Sequence, residues 1–173
     1  MPKLDSAGDS LTGCFSSELL GAVQAAPRPP LGEGEPQSEL VRLLEGGIGD
    51  HLSGVSPRRQ MECLSGLWLL AGDIHRSHDL SQDLGSAEGS LLHGIMHRRE
   101  GDFGNAKYWF RRVGEHEVFR ELADAADLSY EDPFDFVDRC QNATESRDES
   151  LIETCLTIQW VEWQLLMSFL VRG

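Results

Sequence analysis

Positive charge is scarce in this chain. Fifteen Lys and Arg stand against 29 Asp and Glu, a formal net charge of −14 over 173 residues. A surface of that sign repels phosphate backbones at long range, which argues against nucleic acid as a partner and for solubility or basic partners. Long apolar runs are missing too. Stretches such as Leu67-Trp68-Leu69-Leu70-Ala71 fall far short of the roughly 20 residues that a membrane-spanning helix needs, so no membrane partner is expected. Cysteine is sparse and scattered. Cys14, Cys63, Cys140 and Cys155 form no Cys-x-x-Cys pair, which removes a zinc ribbon and a thioredoxin-type motif. They read as reduced thiols, with Cys63 and Cys155 in the core. The opening MPKLDSAGDS does not read as a secretory leader. A cytoplasmic location is therefore the expectation, and under it the Asn142-Ala143-Thr144 sequon carries no meaning.

Several chemistries lack their signatures. Neither Gly32-Glu33-Gly34-Glu35-Pro36 nor Gly46-Gly47-Ile48-Gly49-Asp50 lies between a strand and a helix, so no phosphate loop is present. Ser77, His78, Asp79 and Ser81 lack a strained nucleophile turn and an oxyanion hole, which argues against nucleophilic hydrolysis. Cys63 sits among apolar residues, where packing is the simpler role. No stretch alternates convincingly as a strand.

What the chain does have is apolar periodicity near 3.6, with 40% hydrophobic and 25% charged residues, a globular composition with enough length for one core. A first helix fits residues 16–26 and meets the breaker Pro27-Arg28-Pro29-Pro30-Leu31-Gly32-Glu33-Gly34. Residues 1–36 are thus expected to be a weakly ordered helix and a Pro/Gly-rich linker, loosely attached to an all-helical domain over 37–173. A short helix over 37–44 ends at Gly46-Gly47, and Pro57 opens a stronger one. That helix places Leu64, Leu67, Trp68 and Ala71 on one face. Continued through Gly72-Asp73, the stripe reaches Ile74, His75 and His78 and turns both histidines inward, although Gly72 weakens it. Residues 79–87 read as a turn. Helices follow over 88–99, 103–113, 118–127, 133–140 and 148–171. The expectation is a compact all-α array of about seven or eight helices in antiparallel hairpins, one domain.

Reactive side chains concentrate between His75 and Arg112. This stretch holds four of the six histidines (His75, His78, His93, His97) and five of the fifteen cations (Arg98, Arg99, Lys107, Arg111, Arg112). In the first helix of the central pair, Leu91, Leu92, Ile95 and Met96 form an apolar stripe. His93, His97 and Glu100 lie nearly opposite, at i, i+4 and i+7. A helix with two demanding faces is sandwiched between neighbours. On the next helix Phe103, Ala106, Trp109, Phe110 and Val113 make the apolar face, Lys107 and Arg111 an i, i+4 pair, and Asn105, Tyr108 and Arg112 a third, hydrogen-bonding face. Trp160 and Trp163 read as core anchors with Glu162 facing elsewhere.

The pair resembles a single tetratricopeptide unit. Gly94, Gly101, Ala106 and Phe110 sit at that repeat's small and aromatic offsets, where small residues let two helices approach. No second copy follows at that period, so the likeness implies a hairpin and not an array. A wider resemblance covers about Cys63 to Leu166, roughly 60% of the chain. The segments SGLWLLAGDIHRSHDLSQDL, LLHGIMHRREGDFGNAKYWFRRVGEHEVF, DPFDFVDRC and WVEWQLL are similar to a family of uncharacterised bacterial proteins with fungal relatives. The family is marked by its HGIMHRRE-x-D-F-x-N-x-K-Y-W-F-R-R-V-G block. The chain departs from that pattern at Ala71-Gly72-Asp73-Ile74, where the family has a more continuous helical stretch. The resemblance implies no particular activity.

Three readings of the cluster stay open. The leading one is a small-ligand or anion site, with enzymatic activity undecided, in a polar cleft lined by His75, His78, His93, His97, Asp102, Asn105, Tyr108, Arg111 and Arg112. In it Arg98, Arg99, Lys107, Arg111 and Arg112 clamp a carboxylate or phosphate. The second is a structural or protein-interaction module in which the histidines form a buried polar network with no catalysis. The third is a divalent metal site. His93 and His97 at i, i+4 supply two ligands, His78 or His75 a third, and Glu100 or Asp102 a carboxylate.

Overall fold

A computed structural model describes residues 6–125 and 129–173, and among them every regular element is helical. The elements are α1 (Ser6–Thr12), α2 (Ser17–Ala25), α3 (Ser38–Glu45), α4 (Gln60–Ala71), α5 (Ile74–Ser81), α6 (Ala87–Glu100), α7 (Phe103–Val113), α8 (Glu117–Asp124), α9 (Pro133–Ser146) and α10 (Glu149–Arg172). The all-α expectation holds, with ten helices where seven or eight were expected. The additions are α1 and α5, and α9 runs on to Ser146. The expected helix over 118–127 reaches Asp124, and its last two residues lie outside the described ones. No described helix is long and apolar enough to cross a membrane.

The helix starts are written in short polar side chains. Ser16, Asp73, Ser86, Asp102, Asp132 and Asp148 each accept a backbone N–H of the first turn that follows, satisfying donors that the helix itself leaves unpaired. Gly101 ends α6 in the left-handed conformation at φ 88°.

α6 is the axis of the fold. Every residue from Glu88 to Arg99 is buried, as expected for a helix with two demanding faces. It packs closely on α7, α5 and α4. Gly94 makes the α6–α7 approach possible, since a Cβ there would stand 2.7 Å from the Phe110 ring. α10 closes the other side. Trp160 and Trp163 are buried and stacked at 5.4 Å, and Trp163 Nε1 donates to the Gly66 carbonyl of α4 at 2.8 Å.

Two expectations need correction. The stripe from α4 does not continue into α5. Gly72 turns left-handed at φ 81°, and a Cβ there would meet the Glu35 carbonyl at 2.5 Å. Asp73 then caps a new helix with its own rotation. The segment within 1–36 is not loosely attached where it is described. Leu11, Leu19 and Val23 are fully buried in the main core. The Pro-rich strap is tied down by side chains. Gln159 Nε2 donates to the Pro29 and Pro30 carbonyls, and Arg99 donates to those of Gly32 and Glu33. An extended proline segment leaves its carbonyls free for such donors.

Candidate metal centre

α6 sets His93 and His97 one turn apart on its α5/α7 side, and α5 brings His78 against them. The ring centroids are 4.7 Å apart for His78–His93, 4.7 Å for His93–His97 and 5.6 Å for His78–His97. One ligand nitrogen from each lies within 4.8 Å of the others. Nitrogens on a shared tetrahedral ion at ordinary zinc–nitrogen length stand about 3.3 Å apart, so loading draws the rings inward. His93 and His97 are 2% and 6% exposed, while the His78 side chain keeps 35% of its surface open to solvent.

Hydrogen-bond partners engage two of the rings. Ser81 Oγ lies 3.3 Å from the His78 carbonyl and 3.0 Å from His93 Nδ1. His97 Nδ1 faces the Glu100 carboxylate at 2.9 Å, and its Nε2 accepts from Asn105 Nδ2 at 3.0 Å. A proton on Nδ1 of each ring would leave a lone pair on each Nε2. Histidine ligands are held this way when an outer group fixes the tautomer. Burial, together with the His97 and His78 rings, pushes His93 down to about 4, so it is a neutral donor at physiological pH.

Of the other predicted residues, Asn105 and Glu100 contact His97, and the rest do not join the cluster. His75 is exposed, because the break at Gly72 rotates it outward. Glu100 stands behind His97 on Nδ1 and is not one of the converging groups. Asp102 is the α7 cap, and Arg111 is exposed and has no ion pair among the described residues. Tyr108 is 47% exposed. The five cations do not form a clamp. Arg98 is buried against Glu162 with contacts of 3.0 and 2.5 Å and lies over the Phe136 ring at 4.3 Å. Arg99 serves backbone carbonyls, including Leu69 at 2.5 Å. Lys107 pairs with Asp138 at 2.6 Å. Arg112 lies over the Trp109 ring at 5.1 Å, and Trp109 in turn packs on His93 at 4.1 Å. Two open cavities of about 390 and 420 Å³ are lined by other residues, among them Phe119 and Phe134 for one and Leu64 and Trp68 for the other.

Sequence reasoning missed a second polar cluster at the N-terminal end of α6. Arg59 holds Glu62 at 2.7 Å and Glu88 at 3.0 Å, Ser86 Oγ donates to Glu62 at 2.5 Å, and His116 Nε2 stands 3.7 Å from Glu88. These residues come from three separate segments, and only Arg59 and Glu62, at i, i+3, are linked by a local spacing.

No family model matches the chain, and no match was found among curated proteins or solved structures.

Proposed function

We propose that this protein binds one divalent transition-metal ion of the zinc type through Nε2 of His93, Nε2 of His97 and a ring nitrogen of His78. The convergence of three imidazole donors carries this reading. Like groups gathered in a poorly solvated place repel when protonated and gain little from one another when neutral, and a cation reverses that balance. The details favour the same conclusion. Ser81 and Glu100 stand on Nδ1 of His93 and His97, as outer groups do behind metal-bound histidines. All three ligands are nitrogens, which suits zinc and its neighbours over magnesium or calcium. Three protein ligands leave a fourth position, and the His78 side chain is the one of the three that is partly open to solvent. Closed structural zinc sites use four protein ligands, and catalytic ones leave such a position for water or substrate. On loading, the Asn105 amide gives up its place on His97 Nε2.

Elemental analysis of tag-free protein, purified without chelators or a metal column, tests the proposal. One equivalent of zinc or a neighbouring metal per chain is expected, lost in His93→Ala and His97→Ala while helical circular dichroism is retained. Protein that lacks metal as purified and takes up none on dialysis against zinc overturns it. A second reading has its own support. Asn105 and Ser81 already give His97 and His93 partners, as in a structural network joining α5, α6 and α7. That reading predicts a melting temperature indifferent to zinc, whereas a bound ion raises it by mass action.

A further inference from the structure

We infer that the metal centre takes a small oxyanion, held between the ion and the guanidinium of Arg112. The inference rests on the metal reading above and adds the class of its ligand. Asn105, Tyr108, Trp109 and Arg112 stand at i, i+3, i+4 and i+7 on α7, one continuous stripe. Its near end touches the histidines. Asn105 Nδ2 is 3.0 Å from His97 Nε2, and the Trp109 and His93 rings are 4.1 Å apart. Its far end is Arg112, stacked over Trp109 at 5.1 Å and 3.5 Å from the Tyr108 hydroxyl. Trp109 thus links the cation to the ring cluster.

Arg112 is exposed and has no carboxylate partner among the described residues, in a chain with 29 acidic ones. Buried and half-buried arginines are occupied, as Arg98 is by Glu162 and Arg59 by Glu62 and Glu88, whereas Arg112 shares its freedom from ion pairs with Arg111 among the described residues and differs from it in its contact with Trp109. Packing on an indole holds a guanidinium in place while its N–H edge stays available, and that edge matches the two oxygens of a carboxylate or phosphate. The electrostatics point the same way. Three neutral imidazoles leave both charges of a divalent ion uncompensated. Of the acids beside the rings, Glu100 is 2.9 Å from His97 Nδ1, and Asp79 is 77% exposed and 3.8 Å from His78 Nδ1. An anion at the open position completes the ion's coordination and gives Arg112 a partner. The ligand class is the oxyanion group itself, whether a free ion or the end of a carboxylate or phosphate ester.

Cobalt(II) is the probe, because its visible absorption reports coordination. The wild-type protein should take up one cobalt ion, and inorganic phosphate or acetate should then change the bands saturably. Arg112→Gln should keep the cobalt spectrum and lose about tenfold or more in anion affinity, the range of a charge-assisted hydrogen bond. A response to phosphate alone assigns phosphate chemistry, and an equal response to acetate assigns carboxylates as well. Unchanged anion affinity in Arg112→Gln, or phosphate that strips cobalt from the protein, overturns this inference and leaves the metal reading standing. A wild-type protein that takes up no cobalt removes both.

Discussion

His97 and Arg98 are consecutive on α6, both are buried, and they handle burial in opposite ways. Arg98 meets an opposite charge. Glu162 of α10 neutralises it, and the Phe136 ring covers it. The pair is balanced in charge, though Arg98 Nε is left without a hydrogen-bond partner among the described residues, and it fastens α6 to α10. His97 meets its own kind. His93 and His78 stand beside it, and no carboxylate lies among the three converging nitrogens. A buried site made of unlike groups is neutralised as it stands, whereas one made of like donors is completed by something that accepts from all of them. That difference separates the structural polar groups of this protein from the proposed functional ones, and the Arg59–Glu62–Glu88 cluster falls on the structural side with Arg98.

The comparison can be broken at several points. The largest effect belongs to the charged side. Arg98→Ala leaves Glu162 buried and alone, and urea unfolding should show a loss of about 3–5 kcal/mol. Adding Glu162→Leu should recover part of it, because no lone charge then remains. On the histidine side, Glu100→Gln should weaken zinc binding about 10- to 100-fold, measured by competition with a chromophoric chelator, with little change in stability.

Acid sharpens the contrast in the metal-free protein. His93 takes up a proton near pH 6.5 when unfolded but only near 4 when folded. Between those values the unfolded state binds more protons, so stability falls as pH drops from about 6.5 to about 4, by roughly 1.4 kcal/mol per pH unit from this group. Unfolding midpoints across that range would reveal it, and a flat profile would count against a buried neutral His93. The smallest effect is at His75. It is exposed, so His75→Ala should change stability by less than about 0.5 kcal/mol and leave zinc uptake unaltered.

The parts of this fold legible in sequence are those governed by neighbours a few residues away. α7 begins and ends where expected, because Asp102 caps it and Gly114 stops it, both readable locally. The two-faced pattern of α6 and its i, i+4 histidines survive intact for the same reason. What was not legible depends on distant partners. The break after α4 needs the Glu35 carbonyl pressed against Gly72, and that break decides why His78 joins the cluster and His75 does not. Arg98 read as one of five clamping cations because its partner lies 64 residues away. The N-terminal segment read as loose because proline breaks periodicity, while the donors that tie it down, Gln159 and Arg99, sit on α10 and α6.

The most direct test of the central claim is a crystal structure grown with equimolar zinc, with data collected on both sides of the zinc absorption edge. The account predicts one anomalous peak within about 2.1 Å of a ring nitrogen of each of His78, His93 and His97, with the Asn105 amide displaced from His97. An anomalous map with no peak there, and the His97–Asn105 hydrogen bond intact, would contradict it and leave the three histidines as part of the core.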